Sequence, residues 1–218
     1  MRDLRPDLSL PDVADDLYFL QVRLEARVAT QHLAPLAAAL LAQVDTAIAE
    51  HRAHRRAIVR ADAQAGSARQ QLEEAVTTLG QHVLVAAGLD RDSALYRTWL
   101  PSAPSELTGG TRAELVAFVQ GAEARAGASD LPQLRDQGPL LASARAGLEA
   151  ASESQRQADD ALRSHTTAAR EPLRTAANDL RRGLFADLEK LRLAAKQPRR
   201  WTESFFRQQA KQKVAVVV

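Results

Sequence analysis

The stretch PLAAALLAQVDTAIAEHRAHRRAIVRADAQAGSARQQLEEAVTTLGQHVLVAAGL, Pro35 to Leu89, decides the fold. Ala37, Leu40, Val44, Ala47, His51, His54, Ile58, Ala61, Ala65, Ala68, Leu72, Ala75, Leu79, His82 and Ala86 fall on alternating steps of three and four. That spacing puts them on one seam of a helix. The phase survives Gly66-Ser67, the one local breaker, so the pattern predicts a continuous helix there at a cost of about 1 kcal/mol for the glycine. Gly88 fits the position just past a helix end, where a left-handed backbone is needed. The many alanines allow a second helix to approach closely.

A second frame supplies that helix. Leu141, Ala144, Leu148, Ala151, Gln155, Ala158, Leu162, His165 and Ala169 repeat the spacing. After a slip near Pro172, Leu173, Leu180, Leu184, Leu188 and Leu191 continue it. Setting Pro35 against Pro139 aligns the two halves, which is either an internal duplication or the degeneracy of any two heptad patterns.

Outward from these runs the chain divides into five parts. Residues 1–10 read as an irregular arm. Residues 11–89 read as a long helical segment, opened by Pro11 with Asp12, Asp15 and Asp16 at its positive end and either kinked or restarted at Pro35. Residues 90–133 form a connector with two short helices, one around Tyr96 and Trp99, the other opened by a Thr111/Glu114 capping box and carrying Phe118. Residues 134–197 form the second long segment. Residues 198–218 form a basic, aromatic C-terminal segment ending in an apolar tail.

The expected fold is all-α: an elongated antiparallel, coiled-coil-like hairpin with the helical connector at one tip. Facing residue numbers should sum to about 222 in such a pairing, and a 50-residue shaft would run about 75 Å. Tyr18 and Phe19 would then lie across from Trp201 to Phe206, so that the sparse aromatics gather at the ends. The alternative is a compact four-helix bundle that turns at Gly66 and just before Pro172.

Composition narrows the function. Aromatic residues make up only 4% of the 218, so Ala, Leu and Val must build the core. There is no cysteine, which removes disulfides, thiolate catalysis and cysteine-held metal. The charged, proline-broken N-terminus predicts no secretory signal, and no run approaches eighteen consecutive apolar residues. A cytoplasmic protein without a transmembrane segment is the expectation. A formal charge of +2 argues against a general nucleic-acid binder but leaves room for local basic patches.

Four places could carry chemistry. Glu50, His51 and His54 on one helix, with His165 facing them, have a spacing that can chelate a metal; the plainer reading is a polar layer that sets register. Arg52, Arg55, Arg56 and Arg60 place four positive charges in one acid-free run, backed by Arg163 and Arg170. They could grip phosphates, or form a solvated face partly paired to Asp159 and Asp160. Arg199, Arg200, Arg207, Lys211 and Lys213 interleave with Trp201, Phe205 and Phe206, a mixture that binds single strands or membrane interfaces, or simply caps a helical body. Val214, Val216, Val217 and Val218 suit docking on another subunit or partner.

Ser93, Ser102, Ser105, Thr108 and Thr111 offer hydroxyls, but no histidine lies near them in sequence to act as base. No phosphate-binding glycine loop or dinucleotide fingerprint occurs. The expected function is a non-enzymatic helical scaffold, without a cofactor, that works through protein-protein contact and self-association. Interaction residues would be Tyr96, Trp99, Phe118, Trp201, Phe205, Phe206 and the valine tail. The alternative is a binder of nucleic acid or anionic membrane through the Arg52–Arg60 belt and the basic C-terminal segment.

Overall fold

Ser9 opens the first helix by a reciprocal cap that a proline in the first turn permits. The Ser9 Oγ donates to Asp12 Oδ2 at 2.6 Å, and the Ser9 backbone N–H donates to the same carboxylate at 3.1 Å. The structure, a computed structural model, describes residues 3–5 and 7–207; among them the regular elements are all helical. The described part is therefore all-α, and two long helices carry most of it.

Helix α1 (Leu10–Glu25) buries Val13, Leu17, Leu20 and Leu24. The Thr30 hydroxyl then donates to the Leu24 carbonyl at 2.7 Å and closes the helix end. A 3-10 turn over Gln31–Leu33 leads into α2 (Ala34–Ala86), with Pro35 in the first turn. Pro35 thus starts a new helix, where its missing N–H costs nothing. Helix α2 passes straight through Gly66, so the heptad phase was the better guide than the breaker. It stops at Gly88 (φ +68): the Leu89 N–H donates to Leu84 O at 2.9 Å and the Gly88 N–H to Val85 O at 3.1 Å. This is the Schellman pattern that satisfies carbonyls left over at a helix end.

The connector holds more helix than the two short pieces expected: α3 (Ala94–Trp99), α4 (Pro104–Gly109), α5 (Arg112–Gly127) and α6 (Pro132–Arg135). The small, polar composition of Gly121 to Asp130 suggests a loop, yet α5 continues to Gly127 and buries Ala122 and Ala126. Helix α7 (Gln137–Ala194) then runs through Pro172 without a turn. Continuity at both Gly66 and Pro172 overturns the four-helix alternative. Past α7, Lys196 takes φ +52 in a second Schellman end, and α8 (Arg200–Glu203) follows.

Two compact units share α2 and α7 between them: the residues up to Arg55 together with those from Ala161 onward, and Arg56–Asp160. In the first unit Leu20, Leu24, Leu184, Leu188, Phe205 and Phe206 form one apolar cluster, and Leu4, Val13, Leu17, Leu40, Val44 and Ala177 form another. Asp16 of α1 meets Arg181 of α7 at 3.0 Å with both side chains buried. In the second unit Leu72, Val76, Leu79 and Val83 of α2 pack with Tyr96, Trp99, Leu115, Val119 and Leu148. A bidentate fork ties α5 to α7 there, Arg145 Nε to Glu123 Oε1 at 2.8 Å and Nη2 to Oε2 at 3.1 Å. Glu123 and Glu149 together hold the Arg145 guanidinium above the ordinary arginine range.

Register departs from the expected pairing. His165 reaches Ala47 rather than Ala57, and Gln155 reaches Asp62 rather than Ser67. The expectation set Gly88 level with Leu134, as a plain return would; a connector with four helices of its own need not bring the chain back at that level.

Candidate functional site

Around the middle of α2 the sequence runs short of large apolar residues, and burial follows. No residue from Ile48 to Arg60 is buried, and none from Glu149 to Ala176 on α7. In this stretch of the first unit a layer of imidazoles takes the place of leucine. The His165 ring lies 5.1 Å from His54 and 6.2 Å from His51, centre to centre. Its Nε2 stands 3.1 Å from the Ala47 carbonyl, which accepts a hydrogen bond from the Nε2–H tautomer. Its Nδ1 stands 3.7 Å from the exposed Glu50 carboxylate. With 13% of its side chain exposed, His165 is the enclosed member of the layer.

The structure thus gathers the four sequence candidates for a metal. Even so, among the described residues no group of three or more His, Cys, Asp and Glu forms a set that could hold an ion. The Nε2 contact with a backbone carbonyl also fits a layer that fixes register.

Arg52, Arg55, Arg56 and Arg60 are all exposed, and among the described residues none makes an ion pair or a side-chain hydrogen bond. Asp160 holds Arg156 of its own helix at 3.1 Å instead of reaching across. Arg170 is committed elsewhere, donating to the carbonyl oxygens of Asp7 (3.0 Å) and Leu8 (3.3 Å). Other arginines of α7 hold carboxylates: Arg145, Arg156, Arg182 and Arg192 each have an acidic partner.

Most of the aromatic interaction residues are core residues. Tyr96 and Trp99 are buried in the second unit, Phe205 and Phe206 in the first, while Phe118 and Trp201 are half-buried. Trp201 meets Phe205 edge-on at 5.0 Å, and the Arg27 guanidinium lies 5.4 Å and 5.2 Å from the two ring centres. With so few aromatics in the chain, the large side chains are used to fill the two cores, and the buried ones offer no stacking surface. Arg199 faces Glu203 at 3.9 Å, Arg207 faces Asp15 at 3.6 Å, and Arg200 is exposed. Lys211, Lys213, Val214, Val216, Val217 and Val218 lie outside the described residues.

Sequence reasoning missed a shallow hollow of about 260 Å³ in the first unit, lined by Asp15, Tyr18, Phe19, Val22 and Arg207. The four α1 residues are spaced three, four and seven apart from Asp15, a second stripe beside the buried Val13-Leu17-Leu20-Leu24 face. Tyr18 is 59% exposed. The signal was present: α1 carries apolar residues on two faces where one would satisfy the core.

The connector hydroxyls act as local structure. Ser93 accepts from the Tyr96 N–H at 3.2 Å and Thr111 from the Glu114 N–H at 3.3 Å, so both are helix caps. The helical run Gln31–Ala86 contains an eighteen-residue window of mean hydropathy 1.3, long and apolar enough by composition to cross a bilayer. Alanine raises that mean without forming a long unbroken run. Ala37, Leu40, Val44 and Ala47 of this helix are buried in the first unit.

No family model matches the chain, and no curated protein or solved structure matches it.

Proposed function

We propose that the protein is a non-enzymatic helical scaffold or assembly component that acts through protein-protein contact and self-association. The observation that supports this is the uncovered middle of α2. Between Ile48 and Arg60 no side chain is buried, Ile58 is half-buried, and Val59 is 69% exposed. Apolar side chains in the middle of a long helix gain about 25 cal/mol per Å² when another helix covers them. The capping role of Ser93 and Thr111 fits the same reading, because these hydroxyls are engaged by backbone rather than poised beside a base.

Light scattering coupled to size exclusion tests the proposal. A mass above one chain is expected at micromolar concentration, and it should fall toward one chain when Ile58 and Val59 are both replaced by glutamate. A strictly monomeric mass across the working range would overturn it.

A further inference from the structure

We propose that the hollow on α1 is the dock for this chain's own C-terminal valine run, Val214–Val218. The surface lies within the first unit and apart from the middle of α2, so nothing here rests on the scaffold reading. Its floor is apolar where the packing of α1 does not require it. Tyr18 is 59% and Val22 42% exposed, one turn apart on the same stripe, and Phe19 beside them is half-buried. A tyrosine and a valine left side by side in water form a patch that gains by being covered. At one end the rim is polar, with Asp15 standing 3.6 Å from Arg207.

The occupant follows from where the chain runs next. Arg207 is both the last described residue and part of the wall. Phe205 and Phe206 are buried just before it, so the chain leaves the core at the edge of the hollow. Residues 208–213 then separate Arg207 from Val214. A spacer of that length spans at most about 20 Å, whereas Asp15 and Val22 are about 10 Å apart along the helix. The valines thus reach the floor with slack for a turn. Four β-branched valines in five residues suit neither a helix nor water. In an extended run alternate side chains turn to one side, which sets Val214, Val216 and Val218 against Tyr18, Phe19 and Val22. Charge agrees with this path, because Lys211 and Lys213 precede the valines and the exposed Asp12 and Asp15 flank the rim. The same two acids disfavour an anionic membrane as the cover. A tether this short holds the tail at an effective concentration in the millimolar range, about a thousandfold above a second copy in micromolar solution. A contact of only millimolar intrinsic affinity therefore keeps the chain's own tail docked about half of the time.

Hydroxyl-radical footprinting of the full chain, read by mass spectrometry at Tyr18, tests the inference. Tyr18 should be oxidised about twofold faster in the variant V214D/V216D/V217D than in the parent chain, while the buried Tyr96 keeps its rate. The difference should persist on about tenfold dilution, because an intrachain contact does not depend on concentration. From the other side, the variant Tyr18→Ser/Val22→Ser should speed trypsin cleavage after Lys213 by a similar factor. Equal Tyr18 rates in the parent and the aspartate variant would overturn the inference. So would protection lost on dilution, which assigns the hollow to a second copy, or cleavage after Lys213 that ignores the change at Tyr18 and Val22.

Discussion

A methyl group added at Gly66 and one added at Gly80 meet opposite surroundings. Around a Cβ at Gly66 there is nothing within 4 Å, whereas at Gly80 it would stand 2.8 Å from Cγ of Pro104. Gly66→Ala should therefore stabilise the protein by about 1 kcal/mol through helix propensity alone. Gly80→Ala should destabilise it, because a proline ring in the first turn of α4 has little room to retreat. Denaturant midpoints of the two variants check the pair, and midpoints moving in the same direction would contradict this account. Asp16 presents a different balance. Its carboxylate and the Arg181 guanidinium are 6% and 5% exposed, and burial holds Arg181 below the ordinary arginine range despite Asp16 beside it. Asp16→Ala removes a carboxylate from beside a buried guanidinium and should cost about 3–5 kcal/mol, while the joint change to Asp16→Leu and Arg181→Met should recover most of that loss.

At the scale of elements, caps as well as charge pairs give the helices a pH signature. Asp12 and Glu114 both lie below the ordinary carboxylate range, chiefly because the hydroxyls of Ser9 and Thr111 donate to them and the backbone N–H groups add a second bond. A carboxylate lowered in the folded state adds stability above its unfolded pKa and loses it as pH falls through the folded value. Helices α1 and α5 should thus fray at their N-termini in acid, below about pH 4. An acid titration followed by NMR tests this: the Thr111 amide should move with Glu114 and stay fixed in a Glu114→Gln variant. Glu153, exposed beside Arg156 and Gln157, is lowered to about 2. The Thr111-to-Glu114 box was legible in the sequence because it is a local, four-residue device. The turn between α1 and α2 was not, since Thr30 reaching back to Leu24 leaves no periodic trace. Pro172 pulled the other way: it reads as a breaker, yet α7 continues, giving up one backbone hydrogen bond in a helix of 58 residues.

Across the whole molecule, heptad phase foretold two long helices because each apolar step must find a core. It said less about which residues lie inside, since a thin alanine seam buries unevenly: Ala47, Ala61 and Ala65 are buried, while His51, His54 and Ile58 between them are not. The aromatics read as contact surface, yet Tyr96, Trp99, Phe205 and Phe206 are buried, because their scarcity had already committed them to packing. The histidine layer was foreseen in position, and its partner at Ala47 was not, because register depends on how the connector folds. Burial predicts the pattern of hydrogen exchange: amides around Leu72–Val83 and Leu184–Leu188 should be the slowest, and those from Ile48 to Arg60 the fastest of the α2 interior. Mass spectrometry of exchanged peptides checks this order.

The Asp16–Arg181 contact also bears on error during folding. Leucine stripes tolerate sliding, since a helix shifted by one turn still finds methyl groups to cover. Moved by that same turn, about 5.4 Å, α1 would leave a carboxylate and a guanidinium apart, each in an apolar setting that solvates neither. Misdocked first units would consequently be short-lived, with this buried acid and base adding to the exposed Asp15–Arg207 contact in selecting the docked position of α1.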